Sequence, residues 1–153
     1  MTHDENRIAA TECLALYNQL SVQDRYCVPE EYVAQLRQDA IPDYAVAVGD
    51  EPPYGWQAFS PLGQEMASKM LEDIRQARED SAIADVITAA EILGVYETLD
   101  EAAQSWFADA FIREMKELAG DLKVKYTTLV PLDMQDISPL TWNVLARITE
   151  KHQ

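Results

Sequence analysis

Apolar residues recur every three or four positions along most of this chain, and that spacing constrains its fold more than any other feature. Ile83, Val86 and Ala90 form one such stripe. A helix brings positions with this spacing onto one side, whereas a strand requires strict alternation. The sequence therefore predicts a mainly α-helical fold.

Proline and serine residues mark several predicted helix starts. Pro29 suits the first position of a helix, because the N–H that it lacks would have no partner there. Ser60-Pro61 and Ser138-Pro139 each combine a capping hydroxyl with such a proline. Helices are therefore predicted to begin at these three places, in addition to an N-terminal helix over residues 4–20.

The middle of the chain is predicted to form three consecutive helices. The first covers residues 61–78, and the second is capped at residue 80 or 81 and ends at Gly94. Thr98 and Glu101 have the spacing of a capping box. They are expected to open the strongest helix of the chain, which ends at Gly120.

Two segments have the pattern of strands. Residues 44–48 are apolar between turn-forming residues, and residues 122–129 begin with alternating apolar and polar side chains. Because a lone strand is not stable, the two are expected to pair. The predicted fold is thus five or six helices around one core, with a small two-stranded β element. The length of 153 residues suits a single domain over 1–153, and no internal repeat is recognised.

The net charge is strongly negative. Twelve Lys and Arg face 27 Asp and Glu, which gives −15. Such a field repels phosphate backbones and attracts basic surfaces. Residues 89–102 have a spacing like that of a helix-turn-helix. However, Asp100 and Glu101 stand where a recognition helix needs Arg, Lys, Asn or Gln side chains. A basic partner protein is therefore expected, with no direct nucleic-acid binding.

The acidic residues are concentrated in one stretch. Residues 79–110 contain eight acids and no Lys or Arg, whereas residues 111–153 contain six acids and six bases. Glu101, Ser105 and Asp109 would lie one turn apart on the strongest helix. The alternatives are a solubilising surface and a docking face that steers a basic partner. The candidate docking residues in this stretch are Asp85, Glu91, Glu97, Asp100, Glu101 and Asp109.

A second candidate docking element is the segment 51–59, which is rich in proline and aromatic residues. Tyr54, Trp56 and Phe59 lie in a connection longer than a passive linker needs. Exposed aromatic residues often anchor protein interfaces. The alternative is that Trp56 and Phe59 fill the core.

Signatures of catalysis and of metal binding are missing from the sequence. The only histidines, His3 and His152, lie near the chain ends, and no Gly-rich phosphate loop or metal-ligand spacing occurs. Cys13 and Cys27 are expected to be buried thiols. We therefore predict no catalytic residue, no cofactor and no bound metal.

The sequence has the pattern of neither a secretory signal nor a membrane span. Residues 1–7 are not a basic region followed by an apolar run, and no stretch approaches the length of a membrane span. The cytoplasm is expected, with no membrane partner. The favoured function is a non-enzymatic binding or regulatory protein. The alternatives are a nucleic-acid mimic from a phage or mobile element that blocks a basic groove, a small-ligand binder or enzyme, and an assembly subunit.

Overall fold

The computed structural model describes residues 3–44, 46 and 58–152. It is mainly helical, with 72% helix, which confirms the predicted fold class. The chain divides into two compact units, Met1–Arg78 (unit 1) and Glu79–Gln153 (unit 2).

Unit 1 is built on a long helix against which a shorter helix packs. Its helices are α1 (His3–Gln19), α2 (Val22–Tyr26), α3 (Glu30–Asp39) and α4 (Pro61–Glu79). α1 packs on α3. Its core includes Cys13, Leu16, Leu36 and Met70, all buried.

Unit 2 has the same order of helices. They are α5 (Ser81–Thr98), α6 (Glu101–Gln104), α7 (Asp109–Ala119) and α8 (Pro139–Glu150), with a 3₁₀ turn at Leu132–Met134. α5 packs on α7 and on α8. Ile92, Phe107, Ile112 and Leu145 are among the residues of its core.

The helices of the two units, which we call the two copies, follow each other in the same order and at closely matching spacing. A shift of 79 residues places α1 on α5, α2 on α6 and α3 on α7, and a shift of 78 places the start of α4 on that of α8. Under these shifts several residues are identical: Ile8 and Ile87, Ala10 and Ala89, Glu12 and Glu91, Leu14 and Leu93, Tyr17 and Tyr96, Leu20 and Leu99, and Ser60-Pro61-Leu62 and Ser138-Pro139-Leu140. These identities at equivalent helix positions indicate an internal repeat, which the periodicity of the chain alone does not reveal.

Burial follows the same correspondence even where the side chains differ. Positions that are buried in both units include Cys13 and Ile92, Leu16 and Val95, Val28 and Phe107, Val33 and Ile112, and Leu36 and Met115. The pattern that persists is thus apolar burial at fixed positions, which many side chains can satisfy. This explains why residue identity alone gives a faint signal of the repeat.

Helix α5 continues past Gly94, where the sequence predicts its end. Gly94 is buried, and a Cβ at this position would lie 3.0 Å from the ring of Tyr126 and closer still to the carbonyl oxygen of Val124. The glycine therefore allows a non-helical segment to lie against the helix, and it does not act as a C-cap.

The helix predicted over residues 98–120 is broken in two. Asp100, and not Thr98, caps α6, with its Oδ1 accepting from the N–H of Ala103 at 2.9 Å. Ala108 has extended backbone angles, and the preceding Phe107 is buried. Because of this break, Glu101 and Asp109 do not share one continuous helical face.

The predicted β element and helix count are not confirmed. Residues 45, 47 and 48 lie outside the described residues, and Tyr44 and Val46 are not in a strand. Residues 122–127 are non-helical, with Val124 buried, but no strand occurs in the described part of the chain. Eight α-helices are described where five or six were expected. The excess over six is explained by the short α2 and by the segment that is split from the strongest predicted helix.

Candidate functional site

A buried glutamate caps a later helix within unit 1. Glu12 lies on α1 and is 6% exposed. The backbone N–H of Ser60 donates to its Oε2 at 2.8 Å, and the Ser60 hydroxyl donates to its Oε1 at 2.6 Å. The same hydroxyl accepts from the N–H of Gly63 at 3.2 Å, in the first turn of α4. One carboxylate thus holds the start of a helix that is 48 residues away along the chain.

The same device occurs in unit 2, with additional donors. Glu91 on α5 is 1% exposed and accepts from the N–H and the hydroxyl of Ser138 at 3.0 and 2.7 Å. The hydroxyl of Thr141 donates to Oε1 at 2.8 Å, and that of Tyr126 donates to Oε2 at 3.3 Å. We call these two groups, Glu12 with Ser60 and Glu91 with Ser138 and Thr141, the carboxylate clamps.

The hydrogen bonds of the clamps satisfy two buried glutamate side chains. A buried carboxylate is costly unless hydrogen bonds satisfy it, and both glutamates accept several. Glu91 therefore belongs to the interior and not to a solvent-facing acidic surface. Neither glutamate was recognised from the sequence as a clamp residue. The available signal was the pairing of an identical glutamate with an identical Ser-Pro-Leu in each half.

The other predicted acidic residues are exposed. Asp85, Glu97, Asp100, Glu101 and Asp109 all have exposed side chains. Asp85 and Glu97 are twelve residues apart on α5, which is about 18 Å along the helix axis. The remaining close set is Glu97, Asp100 and Glu101, within five residues where α5 meets α6. We call these three the acidic corner.

The acidic corner has no acidic counterpart in unit 1. The equivalent positions hold Asn18, Ser21 and Val22. Ser21 caps α2 by accepting from the N–H of Asp24 at 3.1 Å, as Asp100 caps α6. The shared fold therefore needs a capping oxygen at this corner but does not need three negative charges.

The predicted aromatic loop is described only at its end. Tyr54 and Trp56 lie outside the described residues, and Phe59 is buried. The equivalent loop of unit 2 precedes α8 and exposes Leu129 at 91% and Met134 at 75%. Apolar side chains in this connection are thus a feature of unit 2 as well.

Both cysteines are buried, as predicted. Burial raises the pKa of the Cys13 and Cys27 thiols above the ordinary value, which disfavours the reactive thiolate. His152 stacks on Trp106, with ring centroids 5.4 Å apart. No group of three or more His, Cys, Asp or Glu in the described residues could hold a metal ion.

Within residues 3–44, 46 and 58–152, no helix combines the length and the apolar character that crossing a bilayer requires. Comparison of the chain with protein-family models, with curated proteins and with solved structures finds no match.

Proposed function

We propose that this chain is a cytoplasmic, non-enzymatic binding protein that docks a basic partner protein on the acidic corner of unit 2. The observation that carries the proposal is the divergence between the two copies. Unit 1 forms the same corner with Asn18, Ser21 and Val22, so the three carboxylates of unit 2 are not a requirement of the fold.

The acidic corner has no basic residue near it along the sequence, although Glu97 lines a cleft together with Lys116, Lys123 and Lys125. No Lys or Arg occurs from Glu79 to Ile112 in the sequence. Among the described residues, no ion pair involves Glu97, Asp100 or Glu101. Exposed carboxylates without an ion-pair partner raise the association rate of an oppositely charged surface and fix its orientation.

Asp85 and Asp109 extend the proposed interface within unit 2, and the 51–59 loop is a separate candidate docking element. Asp85 and Asp109 are exposed acids on the same unit and add to its field. In the loop, Tyr54 and Trp56 are the candidate apolar anchors. Charge sets the rate and orientation of docking, and aromatic anchors supply much of the binding energy.

Charge neutralisation at the corner tests the proposal. In the variant E97Q/D100N/E101Q, Asn at position 100 keeps the N-cap, since Asn and Asp cap equally well. The matched control E30Q/E31Q/E65Q removes the same charge from exposed positions of unit 1. Both tagged variants are used for affinity capture from the native host at about 50 and about 300 mM salt.

We expect the corner variant to lose a basic partner that wild type and control retain at low salt. High salt should release the same partner from the wild-type protein. Equal capture by both variants, or capture independent of salt, would contradict the proposal. Displacement of the captured partner by duplex DNA would show that the acidic corner occupies a nucleic-acid-binding groove of that partner.

A further inference from the structure

A cleft in unit 2 gathers three lysines of this acidic chain. It has a volume of about 250 Å³. Ala90, Leu93 and Gly94 of α5 contribute an apolar lining, and the segment after α7 lies beside them. The charged residues lining the cleft are Lys116, Lys123, Lys125 and Glu97. Three of the residues that line the cleft are thus lysines, and one is a glutamate.

Local structure explains how the lysines converge. Lys123 and Lys125 are exposed on either side of buried Val124 in a non-helical segment, and both line the cleft. Lys116 lies in the last turn of α7. Gly94 permits the close approach of this segment to α5, because a Cβ there would meet the Val124 carbonyl.

The three ammonium groups are not used within the described fold. None of them forms an ion pair with a carboxylate in the described ranges. Like charges gathered in one place repel each other, and a cleft with low-dielectric walls focuses their field on a ligand. The arrangement therefore favours an anion inside the cleft.

Unit 1 has no lysine at the positions equivalent to those of the cleft. In unit 1, Arg37 stands at the position of Lys116. The connection that corresponds to residues 120–137 covers residues 41–59 and contains no Lys or Arg. The shared fold therefore forms without the lysines of the second copy.

We propose that this lysine cleft binds a small organic anion, a carboxylate or a phosphate monoester with an apolar body. The ammonium groups would contact the anionic head, and Leu93 with Ala90 would contact the apolar part. Lysine is a flexible point charge suited to either head group. The volume limits the ligand to a size well below that of a dinucleotide.

Titration calorimetry on the full-length protein tests the site with benzoate and phenyl phosphate as probes. Benzamide serves as the uncharged analogue and inorganic phosphate as the head group without a body. The variant K116Q/K123Q/K125Q removes the cleft charges, and R113Q/R147Q/K151Q removes the same charge from exposed positions of the same unit. Circular dichroism verifies that both variants fold.

We expect one aromatic anion to bind the wild-type protein and the control, and to bind the cleft variant about tenfold more weakly. Binding should weaken as salt rises. E97Q should bind the anion more tightly, while losing partner capture if the acidic corner acts as proposed, so the two proposals fail separately. No binding by either anion up to about 10 mM, equal binding of benzamide, or equal affinity of both triple variants would overturn the site.

Discussion

Unit 1 and unit 2 fold alike although most of their equivalent residues differ. Both bury several equivalent positions of the first long helix, and both use a buried glutamate to hold the Ser-Pro start of the last helix. Their surfaces differ, because the acidic corner and the lysine cleft of unit 2 have no counterpart in the described part of unit 1. The comparison therefore separates residues that the fold needs from residues that are free to serve binding.

The clamps should give the largest effects on stability. Removing Glu91 leaves the Ser138 and Thr141 donors without their acceptor, and removing Glu12 leaves those of Ser60. We expect E91A and E12A each to lower the free energy of unfolding by about 3 kcal/mol. E91A should cost more, since Glu91 accepts from more groups.

Urea unfolding, together with hydrogen exchange of peptides from each unit, measures these effects. E97A is the matched control on the same helix as Glu91, and its effect should stay within about 0.5 kcal/mol. Faster exchange should be found in the unit that carries the substitution. If E12A and E91A match the control, the clamps do not hold the start of the last helix of each unit as described.

The clamps of the two units differ at one position. Thr141 donates its hydroxyl to Glu91, but the equivalent residue of unit 1 is Gly63. A Cβ at Gly63 would overlap the carboxylate of Glu12 and lie 3.2 Å from the Cβ of Phe59. The two clamps therefore have the same chemistry but different space.

We expect G63A to lower the free energy of unfolding by about 2 kcal/mol, because overpacking outweighs the gain of about 1 kcal/mol usual for Gly to Ala in a helix. T141G should cost a similar amount, because it removes a donor and adds backbone freedom. Thermal or urea unfolding measures both, with S68A at an exposed position of α4 as the control. A stabilising G63A would show that Glu12 leaves room at this position.

Local chemistry made parts of this fold predictable from the sequence. The helix starts at Pro61 and Pro139 are confirmed, and Asp80 caps α5, because a cap depends on residues within one turn. Gly94 misled the prediction because its role depends on a segment about 30 residues later. The break at Ala108 carries no proline, although Pro29 marks the same break in unit 1.

The candidate site was less predictable for the same reason. A clamp joins residues 47 or 48 positions apart, so neither Glu91 nor Glu12 differs locally from a surface glutamate. Glu97 and Asp100 are exposed, but their docking role stays a prediction. When the two halves are aligned, each equivalent position occurs twice. Such pairs of residues are not visible when each helix is considered by itself.

Alkaline pH should affect the two copies differently. Burial raises the pKa of Cys13, Cys27 and Tyr32 in unit 1. The equivalent residues of unit 2 do not titrate: they are Ile92, Trp106 and Phe111. A raised pKa in the folded state means that the unfolded chain loses its proton first, so stability is complete below the unfolded pKa and falls above it.

We therefore expect unit 1 to lose about 1 kcal/mol between pH 7.5 and 9.5, since an unfolded thiol ionises near pH 8.5. Urea unfolding of wild type at several pH values measures the slope. The variant C13V/C27V should flatten it, because valine cannot ionise. An unchanged slope in that variant would assign the loss to other groups.

Exchanging the corner residues between the copies should have the smallest effect on stability. The graft E97N/D100S/E101V gives unit 2 the residues that unit 1 uses at the same positions. Serine keeps the N-cap, as Ser21 does in α2. We expect the free energy of unfolding to change by less than about 0.5 kcal/mol, while salt-sensitive capture of a basic partner is lost. A loss above about 1 kcal/mol would mean that the carboxylates stabilise unit 2 itself. The divergence between the copies would then reflect folding, and it would no longer support docking.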